Sequence, residues 1–367
     1  MGKSRHEKFM RLALRLAQKA KGRTNPNPLV GAVVVKNGRI LGRGYHKAAG
    51  LAHAEVVALD KAGKAARGGS LYVTLEPCRH FGRTAPCVDK ILACGIKEVV
   101  FAMDDPNPLN NGGGSQFLRR HGIRVLSGIL EEEARKINRV FIKYITKQLP
   151  FVTVKVAQSV DGKIATSSGD SRWITSQSGR ELGHKLRSQA DAVLVGVNTV
   201  LKDNPLLSCR YCGRLQKRQP KKIIVDSKLR LLPKLKIFSP RSPAPVIIAT
   251  TRFAPQEKIS YFRRKAQVIV AKDKEKRVDL RDLFRELARQ GIAHILIEGG
   301  GEIIASALKM RLVDRMIVFV SPKIIGGSEA PTAVEGKGIE RIRQAARLKD
   351  MKFKRVGPEL IIEGEPA

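Results

Sequence analysis

Apolar residues recur at helical spacing near the start of the chain, where Phe9, Ala13, Leu16, Ala17 and Ala20 form one stripe that Gly22 can stop. The uninterrupted apolar run Leu29–Val35 reads as a buried strand, and Asn37-Gly38 is a hairpin turn into a second strand over Arg39–Tyr45. A helix is expected over His53–Ala66 and a strand over Leu71–Leu75. Pro86 sits where a second helix would open, running through Val88–Cys94 and stopped by Gly95; strand Lys97–Met103 follows. Alternation of this kind predicts an α/β sandwich on a mostly parallel sheet. A long helix over Glu131–Gln148 then carries the chain away.

After Pro150 the alternation restarts with strand Phe151–Ala157. Apolar runs at Ala192–Val197, Ile223–Val225, Val246–Ala249, Val268–Val270, Ile295–Ile297 and Met316–Val320 predict a second, larger sheet. Helices fit Ser178–Ser188, Leu280–Gln290 and Glu302–Lys309. A chain of 367 residues exceeds what one core usually serves, so two α/β domains are expected, 1–149 and 150–367.

No stretch approaches the ~18–20 apolar residues of a membrane span. The first residues lack the apolar block and small-residue cleavage site of a signal peptide, although a basic amphipathic targeting helix is an alternative. A cytoplasmic protein with no membrane partner is the expectation. Five cysteines, an odd number, do not make a disulfide framework and point to free thiols or metal ligands. The net charge of +36 attracts anions, whether phosphorylated metabolites or nucleic acid. It is spread evenly: residues 1–149 carry 27 basic and 11 acidic side chains and the remainder 42 and 22. A dedicated nucleic-acid module concentrates charge on one face or segment, so no specific nucleic-acid partner is expected.

Candidate chemistry is densest at His53-Ala54-Glu55, Pro77-Cys78 and Pro86-Cys87. A catalytic zinc takes three protein ligands and keeps the fourth position for water, whose pKa it lowers toward neutrality. One imidazole and two thiolates supply the three. A carboxylate that is not a ligand must still move protons to the ring nitrogen and the departing amine, and Glu55 stands at a helix start two residues from His53. This His-x-Glu and Pro-Cys arrangement is that of zinc deaminases as a class, whose second half is usually Pro-Cys-x-x-Cys. Here eight residues, Arg79–Pro86, separate Cys78 from Cys87. Two other readings stay open: Cys87 as a buried helix residue with His80 in its place, and a purely structural zinc that leaves Glu55 without a task.

The stretches NPNPLVGAVVV, HAE, VTLEPCRHFGRTAPC and AMDDPNP resemble the deaminase domain of the bifunctional riboflavin-biosynthesis deaminase–reductase family, which carries a long insertion between its two cysteines. The resemblance implies a cytidine-deaminase-like three-layer domain with zinc ligands His53, Cys78 and Cys87 and Glu55 as proton shuttle. It implies a phosphorylated pyrimidine as substrate, a 2-amino-pyrimidinone ring on a ribose 5′-phosphate. Its pocket residues would be Asn27, His46, His80, Arg83, Asp105 and Asn107, although DPNP is also a good turn sequence.

In the second half, Ile295–Ile297 leads through Glu298-Gly299-Gly300-Gly301 into a helix, a junction that exposes backbone N–H groups to a phosphate but does not match GxGxxG. KVAQSVDGKIA, GDSRWIT, DAVLVGVNTVLKDNP and ILIEGGGE resemble the reductase domain of the same family, which implies a dihydrofolate-reductase-like α/β fold and NADPH. By position, Ala157, Trp173, Thr199, Asp203, Ser227, Gly300, Gly301, Glu302 and Ile303 would approach NADPH. Lys155, Ser171, Arg187, Leu207, Arg210 and Glu298 would hold substrate, with Arg187 and Arg210 suited to its phosphate because guanidinium forks bind phosphate bidentately. Lys155 could polarise the developing oxyanion or the ring nitrogen. A homo-oligomer is expected.

Trp173 stands between core and cofactor contact. Cys209 and Cys212 have Cys-x-x-Cys spacing with no second pair nearby and read as incidental, Cys94 as core, and Gln216–Lys222 as a solvated loop. A tRNA deaminase shares His-x-Glu and explains the charge, but leaves a 200-residue second domain idle. A structural zinc in a nucleic-acid-binding protein does not explain Glu55.

Overall fold

A computed structural model describes residues 2–79, 81, 85–110, 113–240 and 243–367, in two compact units, Met1–Leu149 and Pro150–Ala367. The first unit runs α1 (Gly2–Gln18), β1 (Gly31–Lys36), β2 (Arg39–Tyr45), α2 (Ala54–Ala62), β3 (Ser70–Leu75), α3 (Cys87–Ala93), β4 (Glu98–Met103), α4 (Gly113–Arg120), β5 (Arg124–Leu126), α5 (Glu131–Ile137) and α6 (Arg139–Lys147). Its sheet has the order β2-β1-β3-β4-β5. The expected mostly parallel sheet is corrected to a mixed one. β3, β4 and β5 are parallel, whereas β1 is antiparallel to both β2 and β3.

Glycines let helices press onto both faces. A Cβ on Gly31 would lie 2.0 Å from the Ala13 carbonyl of α1, and one on Gly44 2.2 Å from the Ala54 carbonyl of α2. Gly44 pairs with Ala32, the neighbour of Gly31, and successive strand residues face opposite ways. The sheet therefore lies between α1 and α2, giving three layers.

Two expected helices differ in length. The one from His53 ends as a short 3₁₀ turn over Gly63–Ala66. The long helix over Glu131–Gln148 is broken at Asn138, which lies outside helical geometry at φ −101°, ψ 12°. Its side chain turns inward instead, accepting the Leu29 N–H (2.7 Å) and donating to the Leu29 carbonyl (3.1 Å).

The second unit runs β6 (Phe151–Ser159), α7 (Gln177–Gln189), β7 (Ala192–Gly196), α8 (Val197–Asp203), β8 (Arg210–Tyr211), β9 (Arg214–Leu215), β10 (Lys221–Val225), β11 (Val246–Thr250), α9 (Gln256–Arg263), β12 (Gln267–Val270), β13 (Asp273–Lys274), β14 (Arg277–Val278), α10 (Leu280–Arg289), β15 (His294–Gly299), α11 (Gly301–Lys309), β16 (Arg315–Ser321), β17 (Leu348–Val356) and β18 (Glu359–Pro366). The main sheet has the order β12-β11-β10-β7-β15-β6-β16-β18-β17. The first seven strands in that order are parallel, and β18 and β17 close the edge antiparallel. β17 had no sequence signal because seven of its nine residues are exposed, so nothing imposes a period of two.

The solvated loop expected over Gln216–Lys222 ends instead in β10, and Lys222 is fully buried with its ammonium donating to the Ile237 carbonyl (2.8 Å). Burial lowers its pKa to about 8. Between that value and the ordinary 10.5 the unfolded chain holds a proton that the folded chain has released, so stability rises with pH across this window. Relative to Lys222→Met, the parent is expected to gain on the order of 3 kcal/mol of unfolding free energy between pH 8 and 10.5. Urea titrations of the pair at several pH values check this, and a difference independent of pH would refute it.

Candidate functional site

His53 precedes α2 with extended backbone, φ −69° and ψ 160°, so the helix starts behind it and places Glu55 in its first turn, 4% exposed. Cys78 lies just after β3, and Cys87 is the first residue of α3. His53 Nδ1 is 3.1 Å from Cys87 Sγ and 3.5 Å from Cys78 Sγ, and the three ligand atoms all lie within 4.8 Å of one another. A tetrahedral zinc with bonds of about 2.0–2.3 Å holds nitrogen and sulfur donors roughly 3.5–3.8 Å apart; the Cys78 separation matches, the Cys87 one is a few tenths of an ångström short, and one imidazole with two sulfurs is a zinc donor set. Hydrogen bonding from Cys87, opposed by burial and helped by His53, lowers the Cys78 thiol to about 4, while the same bond and burial raise Cys87. One thiolate is therefore ready for a cation. Burial also raises the Glu55 carboxyl, which suits a group that must take up and release protons.

Asn27 and His46 meet beside this cluster. The His46 ring is buried edge-on to His53 at 5.6 Å; its Nε2 accepts from the Asn27 amide (3.2 Å) and its Nδ1–H donates to the Ala52 carbonyl (3.2 Å). Burial lowers its pKa, in keeping with the neutral tautomer those two bonds require. Asp105 and Asn107 each close their own turn, Asp105 accepting from Asn107 N–H (3.0 Å) and Asn107 from Leu109 N–H (3.1 Å). His80 and Arg83 lie outside the described residues.

Sequence reasoning missed two supporting residues. Asn138 fixes the backbone of Leu29, two residues after Asn27. Glu76 is buried and accepts from Ser115 N–H (2.8 Å) and Asp105 N–H (3.4 Å), tying α4 and the 104–110 loop to the strand end beside Cys78. Both act on backbone far away in sequence, and neither stands in a pattern that marks it.

In the second unit, the residues matched to NADPH follow the carboxyl ends of four adjacent parallel strands. Ala157 is near the end of β6, Thr199 and Asp203 are in α8 directly after β7, Ser227 follows β10, and Gly300 links β15 to α11, whose first residues are Gly301–Ile303. Ligands of open α/β sheets bind outside these ends. Gly300 has φ +90°, and a Cβ there would lie 3.4 Å from Gly196 N; a Cβ on Gly299 would lie 3.0 Å from Thr199 Oγ1. The two turns thus meet backbone to backbone at the N-terminus of α11, a cradle that suits a pyrophosphate. Ser227 is pinned there, its hydroxyl accepting from Val278 N–H (3.0 Å) and its carbonyl from the Thr250 and Thr251 hydroxyls. Glu302 pairs with Arg277, and the Asp203 carbonyl accepts from Arg172 (2.8 Å). Trp173 is no core residue: it is 61% exposed, with the Arg180 guanidinium 4.5 Å from its ring centre.

Next to this cradle, Glu298 holds Arg187 through two bonds, Nε to Oε1 (2.8 Å) and Nη2 to Oε2 (2.6 Å), and Arg187 Nη1 donates to the Ser208 carbonyl (2.9 Å). These three bonds use three of the five guanidinium N–H groups and fix the plane of Arg187, leaving one donor on each terminal nitrogen. Arg210 contacts the Ser208 hydroxyl at 3.3 Å, and its N–H donates to His184 (3.2 Å). Burial raises the Glu298 carboxyl, but the charge and hydrogen bonds of Arg187 outweigh it and the net shift is down. Lys155 has its ammonium 5.1 Å from the centre of the Phe319 ring; burial lowers its pKa against the pull of Glu298. Leu207 is buried at φ +51°, and Ser171 is half-buried. Cys209 is buried and donates to the His184 carbonyl, Cys212 is exposed, and Cys94 packs at the edge of the first core.

Known proteins match both units. Residues 3–103 match the model of the cytidine and deoxycytidylate deaminase zinc-binding region, and residues 150–362 that of the RibD C-terminal domain. The riboflavin biosynthesis protein RibD of Aquifex aeolicus is 45% identical over 355 residues, covering 96% of each chain. That of Escherichia coli is 37% identical over 366 residues, covering 97% of this chain and 98% of its own. The structure of Acinetobacter baumannii RibD superposes with a TM-score of 0.89 at 34% identity, over 100% of this chain and 99% of that one. A Thermotoga maritima diaminohydroxyphosphoribosylaminopyrimidine deaminase/5-amino-6-(5-phosphoribosylamino)uracil reductase superposes at 0.87 with 38% identity, over 100% of both.

Proposed function

The chain belongs to the RibD family, and from that membership we infer which of its residues perform each step. It is a bifunctional riboflavin-biosynthesis enzyme, a zinc-dependent deaminase and an NADPH-dependent reductase acting on a phosphorylated pyrimidine. Deamination of 2,5-diamino-6-ribosylamino-4(3H)-pyrimidinone 5′-phosphate precedes reduction of the ribosyl side chain to 5-amino-6-ribitylaminouracil 5′-phosphate. We assign the first step to residues 1–149 and the second to 150–367.

Held by His53, Cys78 and Cys87, zinc supplies an activated water when bound. Glu55 is the group that would carry protons between the nucleophile, the ring nitrogen and the leaving amine. Asn27 and His46 offer hydrogen bonds to the heterocycle, and Asp105 and Asn107 shape the loop that closes over it. His80 and Arg83 are assigned to ring substituents and phosphate. NADPH, when bound, would supply the hydride that reduction at C1′ of the ribosyl side chain needs. Gly300–Ile303, Thr199, Asp203, Ala157, Ser227 and Trp173 orient the cofactor. Glu298 and Arg187, held to each other, take part in holding the substrate beside Lys155, and Lys155 polarises the substrate where negative charge develops. Ser171, Leu207 and Arg210 complete the substrate site, with Arg210 on the phosphate.

The observation that carries the first half of this reading is the convergence of one imidazole and two sulfurs around a buried, non-ligating carboxylate. Supplying the diaminopyrimidinone ribotide with NADPH tests it: ammonia should appear first, followed by loss of NADPH absorbance. Ammonia without NADPH oxidation would refute the second assignment. Cys78→Ser is expected to lower zinc content well below one per chain and ammonia release at least a hundredfold, on the scale of a lost metal interaction. Reduction of pre-deaminated substrate should stay within about twofold, since its residues lie in the other unit.

Assembly as a homo-oligomer belongs to the same proposal. Met351 and Phe353 on the edge strand β17, with Ile339 and Ile342 before it, are exposed apolar side chains that a second copy would cover. Sedimentation of the purified protein tests this. Among the described residues no helix is long and apolar enough to cross a membrane, and we place the enzyme in the cytoplasm.

A further inference from the structure

One carboxylate at the carboxyl edge of the reductase sheet has no part in the chemistry above. Asp161 follows β6 and accepts two successive backbone N–H groups, those of Ile325 (3.1 Å) and Gly326 (2.7 Å). Consecutive amides converging on one anion form a nest. Gly326 and Gly327, at φ +71° and +83°, supply the left-handed backbone it needs. A hydrogen bond with Ser159 and the two amides lower the carboxyl to about 2, so it is ionised at any assay pH.

Around this anchor, residues 322–336 run back along the ends of β6 and β16. Val160 N–H donates to the Lys323 carbonyl (2.8 Å), the Lys163 ammonium to the Ala330 carbonyl (3.0 Å), and Ile164 N–H to the Pro331 carbonyl (2.9 Å). The two ends of this strap reach residues assigned to NADPH. The Lys323 ammonium donates to the Trp173 carbonyl (2.5 Å), and Glu335 N–H donates to the Gly301 carbonyl (3.3 Å). A Cβ on Gly301 would lie 2.6 Å from Glu335 Cγ, so the strap packs directly on the first residue of α11.

We propose that Asp161 is a positioning residue of the reductase: it fixes the strap 322–336, which holds Trp173 and the start of α11 in the geometry that receives NADPH. The proposal rests on the reading that NADPH binds at this edge. Asp161 touches neither cofactor nor substrate and acts only through the strap.

Asp161→Ala and Asp161→Asn in the full chain separate these roles. In cofactor-free protein, hydrogen exchange at Ile325 and Gly326 should quicken at least about tenfold in the alanine variant and less in the asparagine one, which keeps an acceptor. The calorimetric Kd for NADPH should rise about tenfold with Ala, or about 1.4 kcal/mol, and about threefold with Asn. At saturating NADPH, reduction should stay within about threefold of the parent and ammonia release unchanged. Faster strap exchange with an unaltered Kd would overturn the proposal. So would a lowered Tm with both activities lost in parallel, since Asp161 would then serve the fold alone. A parent protein that did not bind NADPH would instead remove the reading beneath it.

Discussion

Glu55→Gln is expected to cut ammonia release by about a thousandfold while zinc stays bound at one per chain. General acid–base catalysis by one positioned group is worth roughly 10²–10⁴ in rate, and Glu55 is a buried carboxylate that interacts with His53, Cys78 and Cys87, whereas buried Glu76 is engaged by the Ser115 and Asp105 amides. The amide has the same shape and is no metal ligand here, so the donor set is left whole. Metal analysis, ammonia assay and NADPH oxidation on pre-deaminated substrate separate the possible outcomes. If reduction failed together with deamination while zinc and fold survived, the assignment of the two steps to separate sites would be wrong. Loss of zinc in Glu55→Gln would recast Glu55 as part of the metal site.

Glu298→Gln is expected to cost the second unit about 3 kcal/mol and to lower reduction at least a hundredfold. Arg187 and Glu298 are 20% and 6% exposed, and removing one partner of a buried pair leaves the other charge uncompensated. The loss should not stop at stability, because Glu298 also opposes the burial that lowers the Lys155 pKa. Without its charge Lys155 holds its proton less well and polarises the substrate less. The double variant Arg187→Met, Glu298→Met separates the two effects, since apolar replacement of a buried pair is often neutral in stability. Unfolding free energy should recover in the double variant while NADPH oxidation recovers only in part, since losing Arg187 also removes a charge that lowers the Lys155 pKa. Full recovery of both would mean that the pair is only a structural staple.

The sequence by itself determined the elements whose signal is local. Leu29–Val35, Leu71–Leu75 and the parallel strands after Pro150 announce themselves by apolar runs, and the zinc donors by short motifs in which one residue separates His53 from Glu55 and proline precedes each cysteine. What it missed was decided by partners far away along the chain. Asn138 breaks a helix because the backbone of Leu29, 109 residues earlier, needs its amide, and Arg187 is held in place by Glu298, 111 residues later. Lys222 looked like part of a solvated run until β7 and β11 enclosed it, and nothing near Asp161 in the sequence marks the Ile325 and Gly326 amides that close on it. Periodicity records which face of an element is buried. It carries no record of which distant donor a buried polar group must satisfy, and only the folded chain makes that choice.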